Sequence, residues 1–226
     1  SLAVAAKLNG NQFARRNKFW QLASSRGTPK EIYAISRQLF SANQIASISK
    51  LDPGPELTNC NGRNGLDVIN TISRLELQGY MANTLLRDTD CMSMAHSLEV
   101  RVPFVDKHVV RNILSLPGEW KLDSRNKVPK PLLAEILHDL LPADFLSRPK
   151  MGFTLPFEKW MLSKLRNDIS RVLADDKLME SACLSSKGVT RLFEGFLAAP
   201  RSIGWSRPWS TYALARWCEI NRVARS

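Results

Sequence analysis

The sequence predicts a mainly α-helical chain, and three observations carry that expectation. Apolar residues recur at three- and four-residue spacing in most segments, as one buried face of a helix requires. Helix starts are marked by Asn, Thr or Asp, with proline in the first turn, and stops by Pro or Gly. No sheet of consequence, internal repeat or low-complexity tract is visible.

Residues 1–48 read as two or three helices. Asn9 or Asn11 caps the first, and Thr28, Pro29 and Glu31 open the next with a cap, a proline at the first helical position and an early acid. Ile32, Ala34, Ile35, Leu39 and Phe40 then recur at helical spacing. Residues 51–65, rich in Pro, Gly and Asn, read as a loop. They divide the chain into a helical N-terminal segment with its loop, 1–63, and a helical core, 64–226. Leu66 to about Arg87 reads as one long helix with a broad apolar face, and Met92 to His96 as a separate short turn. Asp106 caps a helix running to Leu114, which Leu116, Pro117 and Gly118 end. After a polar connector, Pro131 to Leu140 reads as a helix, and others follow near 157–173, 187–198 and 207–222. Trp209, Ala213 and Trp217 fall on one face of the last, which reads as core packing.

Composition narrows the classes. The chain has 226 residues, long enough for a substantial core, and 44% of them are hydrophobic, ordinary for a globular protein. No apolar run approaches the ~20 residues that span a bilayer. Cys60, Cys91, Cys183 and Cys218 are scattered, so neither a zinc site nor a disulfide scaffold is expected, and the expected setting is reducing and cytoplasmic. The formal charge of +11 divides into +6 for residues 1–63, 0 for 64–150 and +5 for 151–226. A nucleic-acid module concentrates its basic residues on the recognition element. Here they lie in the flanks, which favours a solvated basic surface, or one facing acidic domains, over nucleic-acid binding. A free-standing helical binding or regulatory module is the other alternative.

Residues 90–106 hold the most chemistry. Asp90, Glu99, Arg101 and Asp106 sit among Met, Leu, Val and Phe, in a segment apolar enough to be buried. Burying a carboxylate is costly unless it is paired, and Arg101 is the local partner for Glu99 or Asp106. Pro103 fixes its own φ and pushes Val102 toward an extended conformation, so the expectation is a stiff loop. On composition alone, a structural Glu99–Arg101 ion pair stands beside a catalytic Glu99. The pair Asp88 and Asp90 invites a magnesium site, with structural pairing to Arg87 the alternative. His96 and His138 read as packing residues.

Three runs, Leu85 to Asp106, Lys130 to Pro142 and Arg148 to Pro156, resemble in order and spacing the synthetase domain of the glutamine-hydrolysing asparagine synthetases. That resemblance implies the helical C-terminal portion of an α/β synthetase domain, of the adenine-nucleotide α-hydrolase type, whose sheet is missing here. It implies ATP and Mg2+ as cofactors, with the metal ligands outside this chain, and aspartate and glutamine-derived ammonia as substrates. Glu99 and Lys150 become the catalytic residues, and Arg101, Asp106 and Arg148 bind phosphate or brace the loop. The structural reading of Asp88 and Asp90 is then preferred. The family's Ser-Gly-Gly-x-Asp-Ser loop and N-terminal cysteine nucleophile are not found in the sequence. The expectation is part of a longer enzyme, inactive alone, whose glutaminase and nucleotide-binding segments are its partners, with a homodimer as its assembly. Lys130-Pro131 departs from the family's usual Gly-Lys. Related enzymes amidate other carboxylates or close β-lactam rings, so the acceptor stays open.

Overall fold

The capping chemistry read at Thr28 is present in full. In this computed structural model, which describes residues 12–51, 67–122, 130–142, 145, 148, 152 and 155–223, Thr28 Oγ1 accepts from Glu31 N and Glu31 Oε2 accepts from Thr28 N, both at 3.3 Å. This reciprocal box satisfies two donors at the start of a helix. The expected Asn9 or Asn11 cap, and Leu66 at the start of the long helix, lie outside the described residues.

Helices α1 (Gln12–Ser24), α2 (Pro29–Arg37) and α3 (Ala42–Ile48) come first. Next is one continuous run made of α4 (Val68–Glu76), a π-helical stretch (Leu77–Leu86) and α5 (Arg87–Met94). Then follow α6 (Lys107–Ser115), α7 (Pro131–Ile136), α8 (Phe157–Leu162), α9 (Arg166–Ala174), α10 (Asp176–Ser181), α11 (Ser186–Ala198), α12 (Pro200–Ile203) and α13 (Ser206–Ile220). Among the described residues the only β pairing is an isolated antiparallel bridge between Ser49 and Leu184. The chain is mainly helical, as its periodicity predicts.

Three boundaries differ from the sequence reading. The long helix does not stop near Arg87; it absorbs the turn expected at Met92. The helix expected over 157–173 is two, because the chain leaves helical geometry at Ser163, whose hydroxyl donates to Lys159 O at 2.7 Å. The helix expected to reach Leu140 is regular only to Ile136, beyond which three-residue hydrogen bonds tighten the chain.

The chain divides into two compact units. One draws on Ser1–Arg26, Ala34–Glu56 and Phe153–Ser226. It holds the main core, in which Met161, Ile169, Val172, Leu173, Val189 and Phe196 are buried almost completely. Gly188 lets α11 cross α3 closely, since a Cβ there would stand 2.1 Å from Ser47 O. Helix α13 turns Arg207, Thr211, Tyr212, Ala215 and Cys218 inward. Ala213 and Trp217 are exposed, so the face read as core packing is only partly so: Trp209 packs against Phe157 and Tyr212, while Trp217 faces solvent.

The other unit draws on Gly27–Tyr33 and Leu57–Gly152. Among its described residues only Tyr33, Asn70, Leu75 and Gly118 are buried. Polar contacts do much of the work there. Asp67 caps α4 by accepting from Asn70 N at 2.8 Å, and its carboxylate also accepts from Asn70 Nδ2 at 2.7 Å and Gly118 N at 3.1 Å. Asn70 Nδ2 reaches Leu116 O at 3.0 Å, and Lys121 donates to Asn70 Oδ1. These bonds tie the start of α4 to the turn after α6.

Candidate functional site

The run from α5 to α6 builds the site. The turn that closes α5 runs to Ser97, at a φ of 57° in the left-handed region. Ser97 N donates to Met94 O at 3.0 Å and Leu98 N to Ser93 O at 2.9 Å, the paired bonds of a Schellman cap. The chain leaves this cap as an irregular segment from Leu98 to Val102, where Val102 has φ −120° as the following proline requires. Pro103–Val105 forms a single 3-10 turn. Asp106 then caps α6, its Oδ1 accepting from His108 N at 2.8 Å. Glu99 therefore sits on a short loop pinned at both ends by backbone hydrogen bonds.

The pairing expected of Glu99 is present: Arg101 Nη2 lies 2.5 Å from Glu99 Oε1. Its surroundings are not those expected. The segment read as buried is exposed within this chain. Glu99 is 71% and Arg101 86% exposed, and Met92, Met94, Leu98, Val100, Val102 and Phe104 all present apolar surface to solvent. Arg148 is exposed, its guanidinium 5.3 Å from the centroid of the Phe145 ring. Lys150 lies outside the described residues.

The structural pairing of Arg87 with Asp88 or Asp90, the reading the resemblance favoured, is not present. Arg87, Asp88 and Asp90 are all exposed, and no ion pair joins Arg87 to either acid. Among the described residues no three acidic, histidine or cysteine side chains gather to hold a metal ion. His96 is exposed, and His138 Nδ1 lies 3.1 Å from Asp139 Oδ1 at the surface.

The order and spacing of the three runs agree with one comparison. The family model described as asparagine synthase matches residues 3–219. The chain belongs to the asparagine synthase family. Among its relatives is the asparagine synthetase (glutamine-hydrolyzing) 1 of Bacillus subtilis (strain 168). It is 28% identical over 153 residues, 68% of this chain and 23% of that protein. The asparagine synthetase (glutamine-hydrolyzing) of Cricetulus griseus is 36% identical over 115 residues, 48% of this chain and 20% of its own length. A putative asparagine synthetase (glutamine-hydrolyzing) of Mycobacterium bovis (strain ATCC BAA-935 / AF2122/97) is 33% identical over 97 residues, 43% of this chain and 15% of its own length. The chain thus spans less than a quarter of the length of these curated relatives. No solved structure matches it significantly.

Within this family member, sequence reasoning missed the polar bracket that ties the start of α4 to the turn after α6. Hydrogen bonds from Asn70 and Gly118 hold the Asp67 carboxyl below its usual range, the Asn70 backbone N–H acting most strongly. Burial lowers the Lys121 ammonium, against the opposing pull of Asp67. The Asp67-x-x-Asn70 spacing was a readable cap signal. Its link to Gly118, 51 positions on, was not.

Proposed function

We propose that this chain supplies part of the synthetase site of an ATP-dependent, glutamine-hydrolysing asparagine synthetase. The observation that carries the reading is the family match over residues 3–219, within which the Glu99 loop keeps the family's order of residues. In the proposed reaction the aspartate β-carboxylate attacks the α-phosphorus of ATP and pyrophosphate leaves. Ammonia from glutamine then attacks the acyl carbon, a C–N bond forms, and the C–O bond to AMP breaks. The attacking nitrogen must shed a proton. Glu99, turned to solvent on a pinned loop, accepts or relays it. Arg101 orients that carboxylate from the same loop, and Asp106 fixes the loop's far end. Lys150 and Arg148 supply positive charge where the phosphates become more negative. Magnesium, which the family implies, finds no ligand cluster among the described residues.

The exposed apolar lining supports a second part of the proposal. Nucleotide-binding and glutaminase segments complete the site, in a reducing cytoplasmic setting and in a homodimeric assembly. The chain by itself is then inactive. The test is made in the full-length enzyme that contains this chain. Glu99→Gln and Lys150→Ala each lower asparagine formation by ~10²–10⁴-fold while glutamine hydrolysis persists. Near-normal synthesis by either variant removes that residue from the site.

A further inference from the structure

A small cavity in the unit that holds the main core is lined by Lys18 and Gln21 of α1, Gln38, Ser41, Gln44 of α3 and Arg207 of α13. Its free space is about 10 Å³, room for a single body of about the size of a water. Two cations line it, and among the described residues no carboxylate does. Arg207 is only 8% exposed; its Nη1 donates to Ile203 O at 2.7 Å, while its Nε has no hydrogen-bond partner among the described residues. Lys18 Nζ spends one proton on Ser36 O at 2.7 Å and keeps the others. Burial, then the fields of Arg207 and Arg37, lower the Lys18 ammonium below its usual range. Two cations on one shielded space without a counter-charge are costly to the fold.

The balance of donors and acceptors decides what fills the space. A water brings two protons, and each needs an acceptor. Gln21 Oε1 already accepts from Gln38 Nε2 at 2.5 Å, Gln44 Oε1 from Ser41 N at 2.9 Å, and Ser41 Oγ from Gln44 N at 3.4 Å. Among the described residues, Gln38 Oε1 is the side-chain oxygen of the lining left without such a bond. Uncommitted donors outnumber it: the Arg207 Nε–H, the remaining Lys18 protons, the Ser41 hydroxyl and the Gln44 amide. A single-atom anion uses donors alone, and it cancels charge that a water would leave in place. We propose that this cavity holds one chloride ion, which ties α1 to α13 by accepting from Lys18 Nζ and Arg207 Nε. The proposal does not rest on the reading of the Glu99 loop.

Chloride NMR and thermal denaturation, in sodium chloride against sodium gluconate at matched pH and ionic strength, test it. Gluconate is too large to enter. Broadening of the chloride resonance gives the Kd, and chloride at about ten times that value raises the wild-type midpoint by ~3–5 °C over gluconate. Lys18→Gln binds chloride at least tenfold more weakly and loses most of that shift. Arg191→Gln, which changes an exposed cation elsewhere, keeps the full shift. Comparing Lys18→Gln with wild type cancels chloride bound at other sites and the general effect of each salt on folding. It also avoids the risk that a change at buried Arg207 unfolds the protein. A shift of equal size in Lys18→Gln and wild type, or chloride broadening that Lys18→Gln does not reduce, would overturn the proposal and leave the cavity to a water.

Discussion

At the scale of single residues, the contrast between Glu99 and Asp168 shows how burial separates chemistry from architecture. The Glu99–Arg101 pair is short but mostly exposed, and such pairs contribute ~0–1 kcal/mol. In the full-length enzyme that contains this chain, Glu99→Gln is therefore expected to leave the melting temperature almost unchanged while it lowers synthesis, a split that a structural ion pair cannot produce. Asp168 is the converse case. Its carboxylate accepts from Tyr212 Oη at 2.5 Å and from Arg171 Nη2 at 2.7 Å, and these bonds, Tyr212's first, hold its pKa below the usual value. Burial, then the bond to Asp168, pushes the Tyr212 phenol up to about 12. The signs follow from linkage. The stability from Asp168 is present above its unfolded pKa and is lost as pH falls through the lower folded value. That from Tyr212 is full below ~10 and fades as pH rises toward 12. Tyr212→Phe should lose ~1 kcal/mol near neutrality and weaken both effects, measured by urea denaturation from acid to alkaline pH. An unchanged alkaline limb would exclude Tyr212 as its source.

At the scale of elements, capping and close packing set the geometry, and they were legible to different degrees. The Thr28–Glu31 box and the Asp106 cap could be read because their partners lie within three residues. The Schellman cap at Ser97 could not, since serine gives no signal for a left-handed residue, where glycine or asparagine would. An L-residue there is strained by roughly 1–2 kcal/mol. Ser97→Gly is expected to stabilise the protein by ~1 kcal/mol, less glycine's own entropy loss, as thermal unfolding will register. No gain would mean that Ser97 makes a compensating contact. Gly188 argues the other way. A Cβ there meets the Ser47 carbonyl at 2.1 Å and Ile48 Cα at 3.0 Å, both backbone atoms that cannot swing aside. Gly188→Ala should force α11 off α3 at a cost of ~1–3 kcal/mol, despite alanine's better helix propensity. The sequence offered α11 as a helix near 187–198, but the crossing that makes Gly188 indispensable joins residues about 140 positions apart.

At the scale of the whole molecule, the helical class and the order of the site loop were readable, but the loop's exposure was not. An apolar sequence around charged groups normally signals burial, and the inference fails here because burial depends on what covers a surface. The unit carrying Glu99 buries only Tyr33, Asn70, Leu75 and Gly118 among its described residues, yet it offers Met92 through Phe104 to solvent. Exposed apolar surface on that scale marks an interaction face. Phe104, 73% exposed, separates the alternatives. In this chain alone, Phe104→Asp removes almost no buried contact, so the stability change should stay within ~0.5 kcal/mol while binding of a hydrophobic dye falls. In a longer protein whose other segments cover the loop, the same substitution buries a charge and forfeits ~1.5–3 kcal/mol of phenylalanine burial. There it should lower the midpoint and asparagine formation together, with little dye bound by the unmutated protein. Should the longer protein bind as much dye as this chain, and tolerate the aspartate equally well, the face has another partner and the completed-site proposal fails.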